Sequence, residues 1–356
     1  MRSKVYFIAV SELDYPETIQ SKLASLLDKA SLFDYIKTGQ NVCLKMHFGE
    51  EGNTGFVKPE YLSVISEKIK EKHAQPFLSD TNTLYHGLRT NSKDHLKLAH
   101  SHGFTPEKVG SEVIIPDDNL AKNCTELKIN QKHIKVASVS SVFVEADALI
   151  GVAHFKGHIM TGFGGSLKNI GMGCATRRGK LQQHSSIAPI IYLDNCIGCG
   201  ACVKICPPKA VTLKNKKACI DNSKCIGCAS CIAVCNYQAV DVPWDSGGDT
   251  IQEKMIEYAS AVLNKQKGKS AFINFCLKIT KECDCLAKDD PRIVPDIGIL
   301  ASKDPVSLDK ACLDIVQQRA GRDIFRELHP KRDGLKQLNY ASLLGLGSLD
   351  YDLVMV

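Results

Sequence analysis

Eight cysteines in two matching sets of four constrain this chain more than any other feature. Cys196, Cys199, Cys202 and Cys206 are spaced C-x2-C-x2-C-x3-C, and Cys225, Cys228, Cys231 and Cys235 repeat that spacing 29 residues later. The residues around them repeat too: Cys196-Ile-Gly-Cys199 matches Cys225-Ile-Gly-Cys228, and Ala-Val stands four residues after each final cysteine, at Ala210-Val211 and Ala239-Val240. A zinc ribbon needs only two C-x2-C pairs and leaves four of these cysteines unexplained. Runs of four cysteines at this spacing are instead the ligand pattern of 4Fe-4S clusters. Gly198, Gly200 and Gly227 let the backbone turn tightly and aim its amides at sulfur. The expectation is two 4Fe-4S clusters.

Over about 50 residues this segment resembles the bacterial two-cluster ferredoxins, in which the fourth cysteine of each run ligates the other cluster. The resemblance implies that Cys196, Cys199, Cys202 and Cys235 hold one cluster, and Cys225, Cys228, Cys231 and Cys206 the other. Pro207 follows the first run as in that family, while Asn236 stands where the second run usually has proline, a change that touches local rigidity and potential rather than ligation. The segment carries six Lys and three Asp, a net of +3, and each oxidised cluster with its thiolates brings about −2. A near-neutral metallated module, unlike the acidic free ferredoxins, reads as serving its own host domain, with an electron donor or acceptor protein as the partner. Lys214, Lys216 and Lys217 read as a solvated loop.

The rest of the 356 residues alternates short apolar runs with helical patterns, which predicts an α/β fold: a mainly parallel sheet flanked by helices, with a small inserted α+β module. Strands are expected at Val5–Val10, Asn41–Phe48, Gln75–Ser79, Glu112–Ile115, Ala148–Ala153 and Ser270–Phe275. Helices are expected at Glu17–Ala30, after Pro59, near Ser92–His102, at Gln252–Leu263 and at Pro305–Arg319, the last with Asp304 as N-cap. The division is 1–189 and 244–356 for the α/β domain and 190–243 for the module. A net charge of +6 spread along the chain gives no nucleic-acid footprint. The apolar stretch Val5–Val10 is too short for a signal sequence, and Val139–Phe155 is interrupted by Glu145 and Asp147, so a cytoplasmic chain with no membrane partner is expected.

Three stretches share a reactive character, and each lies at or beyond the carboxyl end of a predicted strand: Lys45-Met-His47-Phe-Gly-Glu50, Asp80-Thr-Asn82-Thr-Leu-Tyr85-His86-Gly-Leu-Arg89, and His154-Phe-Lys156-Gly-His158 running on to Thr161, Lys168 and Asn169. In open parallel sheets the carboxyl edge binds ligands, so these loops point to one cleft in which Lys45, His47, Asp80, His158 and Lys168 are the candidate catalytic residues. Glycines 162, 164, 165, 171 and 173 read as an anion cradle charged by Lys168, matching neither a Walker motif nor a dinucleotide fingerprint. An anionic small molecule is the expected ligand. Cys283-Asp284-Cys285, with Cys276 upstream, can place two thiolates on a further soft metal ion. His86, His95, His100 and His102 read as solvated or capping, and Cys43, Cys124, Cys174, Cys219 and Cys312 as structural.

Together these stretches, with Asp296-Ile-Gly, Asp304-Pro305 and Asp309, resemble the family catalogued as domain of unknown function 362, in the branch that carries an inserted two-cluster ferredoxin. The resemblance implies the fold and an iron–sulfur label but no reaction. The reading is therefore an iron–sulfur redox protein, electrons passing through two clusters to or from an anionic substrate or metal centre in the cleft. The alternatives are a non-catalytic electron-transfer or metallocentre-maturation partner, and a non-redox enzyme with structural clusters.

Overall fold

The computed structural model describes residues 2–116, 122–185, 188–243 and 250–356. Eight strands form one sheet: β1 (Ser3–Ala9), β2 (Asn41–Lys45), β3 (Gln75–Ser79), β4 (Glu112–Ile114), β5 (Ala148–His154), β6 (Ser270–Cys276), β7 (Gly298–Ser302) and β8 (Tyr351–Met355). Their order across the sheet is β8-β1-β7-β6-β5-β2-β3-β4. From β6 to β4 all neighbours are parallel, and so are β1 and β8. Only β7 runs antiparallel to both its neighbours, so the sheet is mixed but mostly parallel.

Side chains alternate faces along a strand, and the core divides accordingly. Ile150, Val152 and Ile273 enter one apolar layer, while Leu149 and Phe272 enter the other. Both faces being covered explains why β5 is buried along its whole length and reads as a continuous apolar run. Helices Pro16–Lys29 and Pro59–Lys70 cover the first face; Ser166–Gly171, Ile251–Lys265 and Pro305–Ala320 cover the second. The helices at 16, 59 and 305 each begin with proline, whose missing N–H costs nothing in a first turn. The Asp304 carboxylate accepts from the amides of Val306 and Ser307, both at 2.9 Å, and caps the last of these as expected. The expected strands do not include β7 and β8; β8 is a half-exposed edge strand without a period-two pattern.

Residues 190–243 stand outside the sheet. Ile190 and Ile191 pair with Asp241 and Val240 at the base of this insert. Above that base sit two short helices, Ala201–Ile205 and Ser230–Ala233, and a hairpin of Val211–Lys214 with Lys217–Ile220. The insert's apolar cluster takes in Leu84 and Leu181 from the α/β part, so the two share a packed seam. Among the described residues no helix is long and apolar enough to cross a membrane.

Candidate functional site

Strands β2, β3, β5 and β6 are parallel, so the loops that follow them emerge at one edge, and these loops line a cavity of about 500 Å³. All five cleft candidates, Lys45, His47, Asp80, His158 and Lys168, border it, as do Cys283 and Cys285. Lys45, 1% exposed, closes β2 with its ammonium 3.0 Å from the Asp80 carboxylate at the end of β3. Its remaining donors reach Met46 O at 2.8 Å and Asn169 Oδ1 at 2.9 Å. Burial by itself would raise the Asp80 carboxyl, but Lys45 and His47 outweigh it and hold the group well below the carboxylate range. Asp80 Oδ2 also lies 3.2 Å from His47 Nδ1. Burial and the Arg89 guanidinium bring His47 down to about 4, so its ring is neutral. Arg89 pairs with Glu50 at 3.0 Å and donates to the Tyr85 hydroxyl.

A second buried group centres on Asp284, the residue between the two cysteines. Its carboxylate contacts His154 Nδ1 through both oxygens at 2.9 Å and Lys156 Nζ at 3.2 Å. Burial opposes ionisation of Asp284, yet His154 and Lys156 keep it far below the ordinary range. The hairpin of Lys156–His158 with Gly162–Gly164 reaches this loop through Gly157, whose amide donates to Thr280 O at 2.9 Å. A β-carbon at Gly157 would stand 2.1 Å from Lys281 O, so only glycine allows that approach. The result places His158 beside Cys283 and Cys285, with one ligand-capable atom from each lying within 4.8 Å of the others. His158 Nδ1 faces the amide of Met160 at 3.2 Å and the hydroxyl of Thr161 at 3.0 Å. The sulfurs of Cys283 and Cys285 are joined as a disulfide. Lys168 Nζ lies 3.7 Å from Cys283 Sγ; burial and Lys156 bring this ammonium down to about 7. Burial and the cations Lys168 and Lys156 hold His158 well below its usual value.

Three expectations change. The amides at the glycine-rich turn do not wait for an external anion. Those of Ser166 and Leu167 donate to the Asp309 carboxylate at 2.8 and 2.9 Å, and Asn274 donates to it at 2.7 Å. The cradle is filled by the protein's own carboxylate, which seats the helix that carries Lys168 and Asn169 into the cleft. Of the cleft lysines Lys45, Lys156 and Lys168, the first two are already neutralised by Asp80 and Asp284. Lys168 alone of the three has no carboxylate within ion-pair distance among the described residues. His95 is fully buried against Asn82 rather than solvated, and Cys276 lies in the core with Cys312 rather than with the Cys283 loop.

In the insert, Cys196, Cys199, Cys202 and Cys235 line one small cavity, three from the first run and one from the second. Burial and the sulfurs of Cys228, Cys225, Cys202 and Cys206 push the Cys231 thiol up to about 12. Backbone amides point at sulfur in equivalent places: Ala210 N to Cys206 Sγ at 3.2 Å, and Ala239 N to Cys235 Sγ at 3.3 Å. Ala218 N does the same for Cys196 Sγ at 3.4 Å.

Asp284, Glu50, Tyr85, Arg89 and Asn169 are site residues that the sequence does not single out, although all five lie within its reactive stretches. A buried carboxylate's partners lie on other loops, so adjacency in sequence carries no sign of them. Lys180 and His184 also border the cavity, from the helix Arg177–His184.

The fold and site define an α/β protein with a mixed, mostly parallel sheet, a cleft at its carboxyl edge bordered by buried charged side chains, and a cysteine-rich insert. Residues 42–314 match the family described as a domain of unknown function, DUF362, and the chain belongs to that family. Comparison with curated proteins gives no match. Among solved structures, the chain is similar to the lactate racemase apoprotein of Thermoanaerobacterium thermosaccharolyticum, at 15% identity and a TM-score of 0.40, over 78% of this chain and 51% of that one. A Thermotoga maritima protein gives 9% identity and a TM-score of 0.41, over 92% of this chain and 59% of the other. The chain thus spans between half and three fifths of these two structures.

Proposed function

We propose that this protein is an iron–sulfur redox protein whose insert holds two 4Fe-4S clusters and exchanges single electrons with an anionic substrate or a metal centre in the cleft. The observation that carries the proposal is the grouping of Cys196, Cys199, Cys202 and Cys235 around one cavity, because that set is the crossed ligation of the two-cluster spacing. Amides aimed at Cys196, Cys206 and Cys235 fit the same role, since such donors stabilise the charge of a ligated sulfur. When bound, the clusters supply one-electron chemistry. The chain's own residues mark an outer and an inner end: Cys199 is exposed, while a β-carbon at Gly227 on the second loop would stand 3.9 Å from Leu181. Leu84, in the same seam, also lines the cleft, which supports a route from an outer to an inner cluster and on to the cleft. There the buried Nε2 atoms of His47 and His154 have no hydrogen-bond partner among the described residues, and the Lys168 amine, with no carboxylate in ion-pair reach among them, can take up a proton to meet an anion.

Anaerobically purified protein is expected to contain about eight irons per chain and to give reduced-cluster EPR signals after dithionite. Cys206→Ala should remove the cluster of Cys225, Cys228 and Cys231 and spare the other. Stoichiometric zinc with little iron would overturn the proposal, and loss confined to the Cys196 cluster would overturn the crossed ligation.

A further inference from the structure

We infer that, with its cysteines reduced, the cleft binds one divalent borderline-soft metal ion of the zinc type through Cys283, Cys285 and His158, leaving one coordination position open to the cavity. Two thiolates and an imidazole are a donor set that such ions prefer, and three protein ligands with a fourth position free is the pattern of a catalytic rather than a structural site.

The geometry is specific to this tripeptide. In this Cys-x-Cys segment the middle side chain points away from the two sulfurs and is held there. Here Asp284 is held by His154 and Lys156, at 2.9 and 3.2 Å, and is itself 1% exposed. The backbone is pinned as well: Asp284 O accepts from the Glu50 amide at 3.1 Å, and Cys285 O accepts from the Tyr85 hydroxyl at 3.1 Å. Both cysteines are thereby turned into the cleft, their Cα atoms 5.2 Å apart. His158 arrives from a different strand pair, through the Gly157 contact with the same loop, and lies within 4.8 Å of both sulfurs by its nearest ligand atom. A plain disulfide needs no imidazole there. Lys168, 3.7 Å from Cys283 Sγ, can hydrogen-bond the ligated sulfur, the kind of outer contact that orients a ligand and tunes its charge.

The disulfide is the oxidised form of the pair. It opens by taking two electrons and two protons from a dithiol reductant, and metal binding then releases the two thiol protons. The site deepens the redox reading by giving the cleft an ion that would hold and polarise the anionic substrate; a zinc-type ion is itself redox-inert, so the electrons go to that substrate. It depends on that reading only for this role, since its ligands are independent of the insert.

The test uses the full-length protein, purified anaerobically with dithiothreitol, exposed to zinc, dialysed, and measured for zinc and iron together. Zinc K-edge absorption reads the zinc shell without interference from iron. One zinc per chain is expected beyond the irons, with two sulfurs at about 2.3 Å and nitrogen or oxygen at about 2.0–2.1 Å. Cys283→Ser and Cys285→Ser should each reduce the sulfur count from two to one. His158→Ala should keep two sulfurs and weaken zinc retention against a chelator at least tenfold. Unchanged iron content shows that each variant has folded, and Cys219→Ser, outside every proposed ligand set, should behave as wild type. No zinc in reduced wild type, with about eight irons present, would overturn the cleft site and leave the clusters standing. Zinc with four sulfurs and little iron would place the metal in the insert, overturning the cluster proposal as well as this one.

Discussion

Replacing Asp309 by asparagine tests whether the helix that carries Lys168 and Asn169 is seated on a carboxylate that titrates near neutrality. Asp309 is fully buried and touches only neutral donors, the amides of Ser166 and Leu167 and the side chain of Asn274. Burial raises its carboxyl to about 6, against about 3.9 in the unfolded chain. The folded state thus holds this proton more tightly. The stability that protonation contributes is fully present below the unfolded value and is lost as pH rises through about 6. A difference of about two pK units is worth about 3 kcal/mol in the limit, of which roughly 1.4 kcal/mol falls between pH 5 and 7. Other carboxylates are common to wild type and Asp309→Asn and largely cancel in their difference. Melting curves by circular dichroism in one anaerobic buffer series should show wild type gaining on the variant by about 2 °C as pH falls from 7 to 5. A gap that does not change with pH, or one that changes in the opposite sense, would refute the assignment and leave Asp309 ionised throughout.

Asp80→Ala leaves Lys45 buried without its counter-charge and should cost about 3–5 kcal/mol, with the double change Lys45→Met plus Asp80→Ala recovering most of it. A double variant no more stable than Asp80→Ala by thermal melt would show that the pair is not the cause. Gly157→Ala drives a β-carbon to 2.1 Å from Lys281 O, so it should separate His158 from the Cys283 loop and change the alkylation rate of Cys283 in reduced protein; an unchanged rate would sink that account. In the insert, a β-carbon at Gly198 would stand 2.2 Å from Lys216 O, whereas one at Gly200 meets nothing nearer than 3.9 Å. Gly200 corresponds to Ala229, which already adopts a φ of +59. Gly198→Ala should therefore lose iron in anaerobic metal analysis while Gly200→Ala keeps it at a strain of about 1–2 kcal/mol, and equal iron in both would contradict this.

The sheet strands β2, β3, β5 and β6 and the helices that begin at prolines 16, 59 and 305 were legible because their signals are local: apolar periodicity, a proline in the first turn, an aspartate cap. The two cysteine runs were legible for the same reason, since closely spaced thiolates carry their own geometry. The three reactive loops could be placed at one edge because a parallel strand's carboxyl end follows from chain direction alone. Charge pairing could not be read this way. Asp80 against Lys45, Asp284 against His154 and Lys156, and Asp309 beneath the glycine-rich turn join residues between 35 and 143 positions apart. Only the packed structure decides which lysine meets a carboxylate and which does not. That choice turned a supposed anion cradle into an internal helix seat and left Lys168 facing a sulfur. The reason is physical: a buried charge takes its state from the nearest opposite charge in space, and in this chain those partners come from different strands.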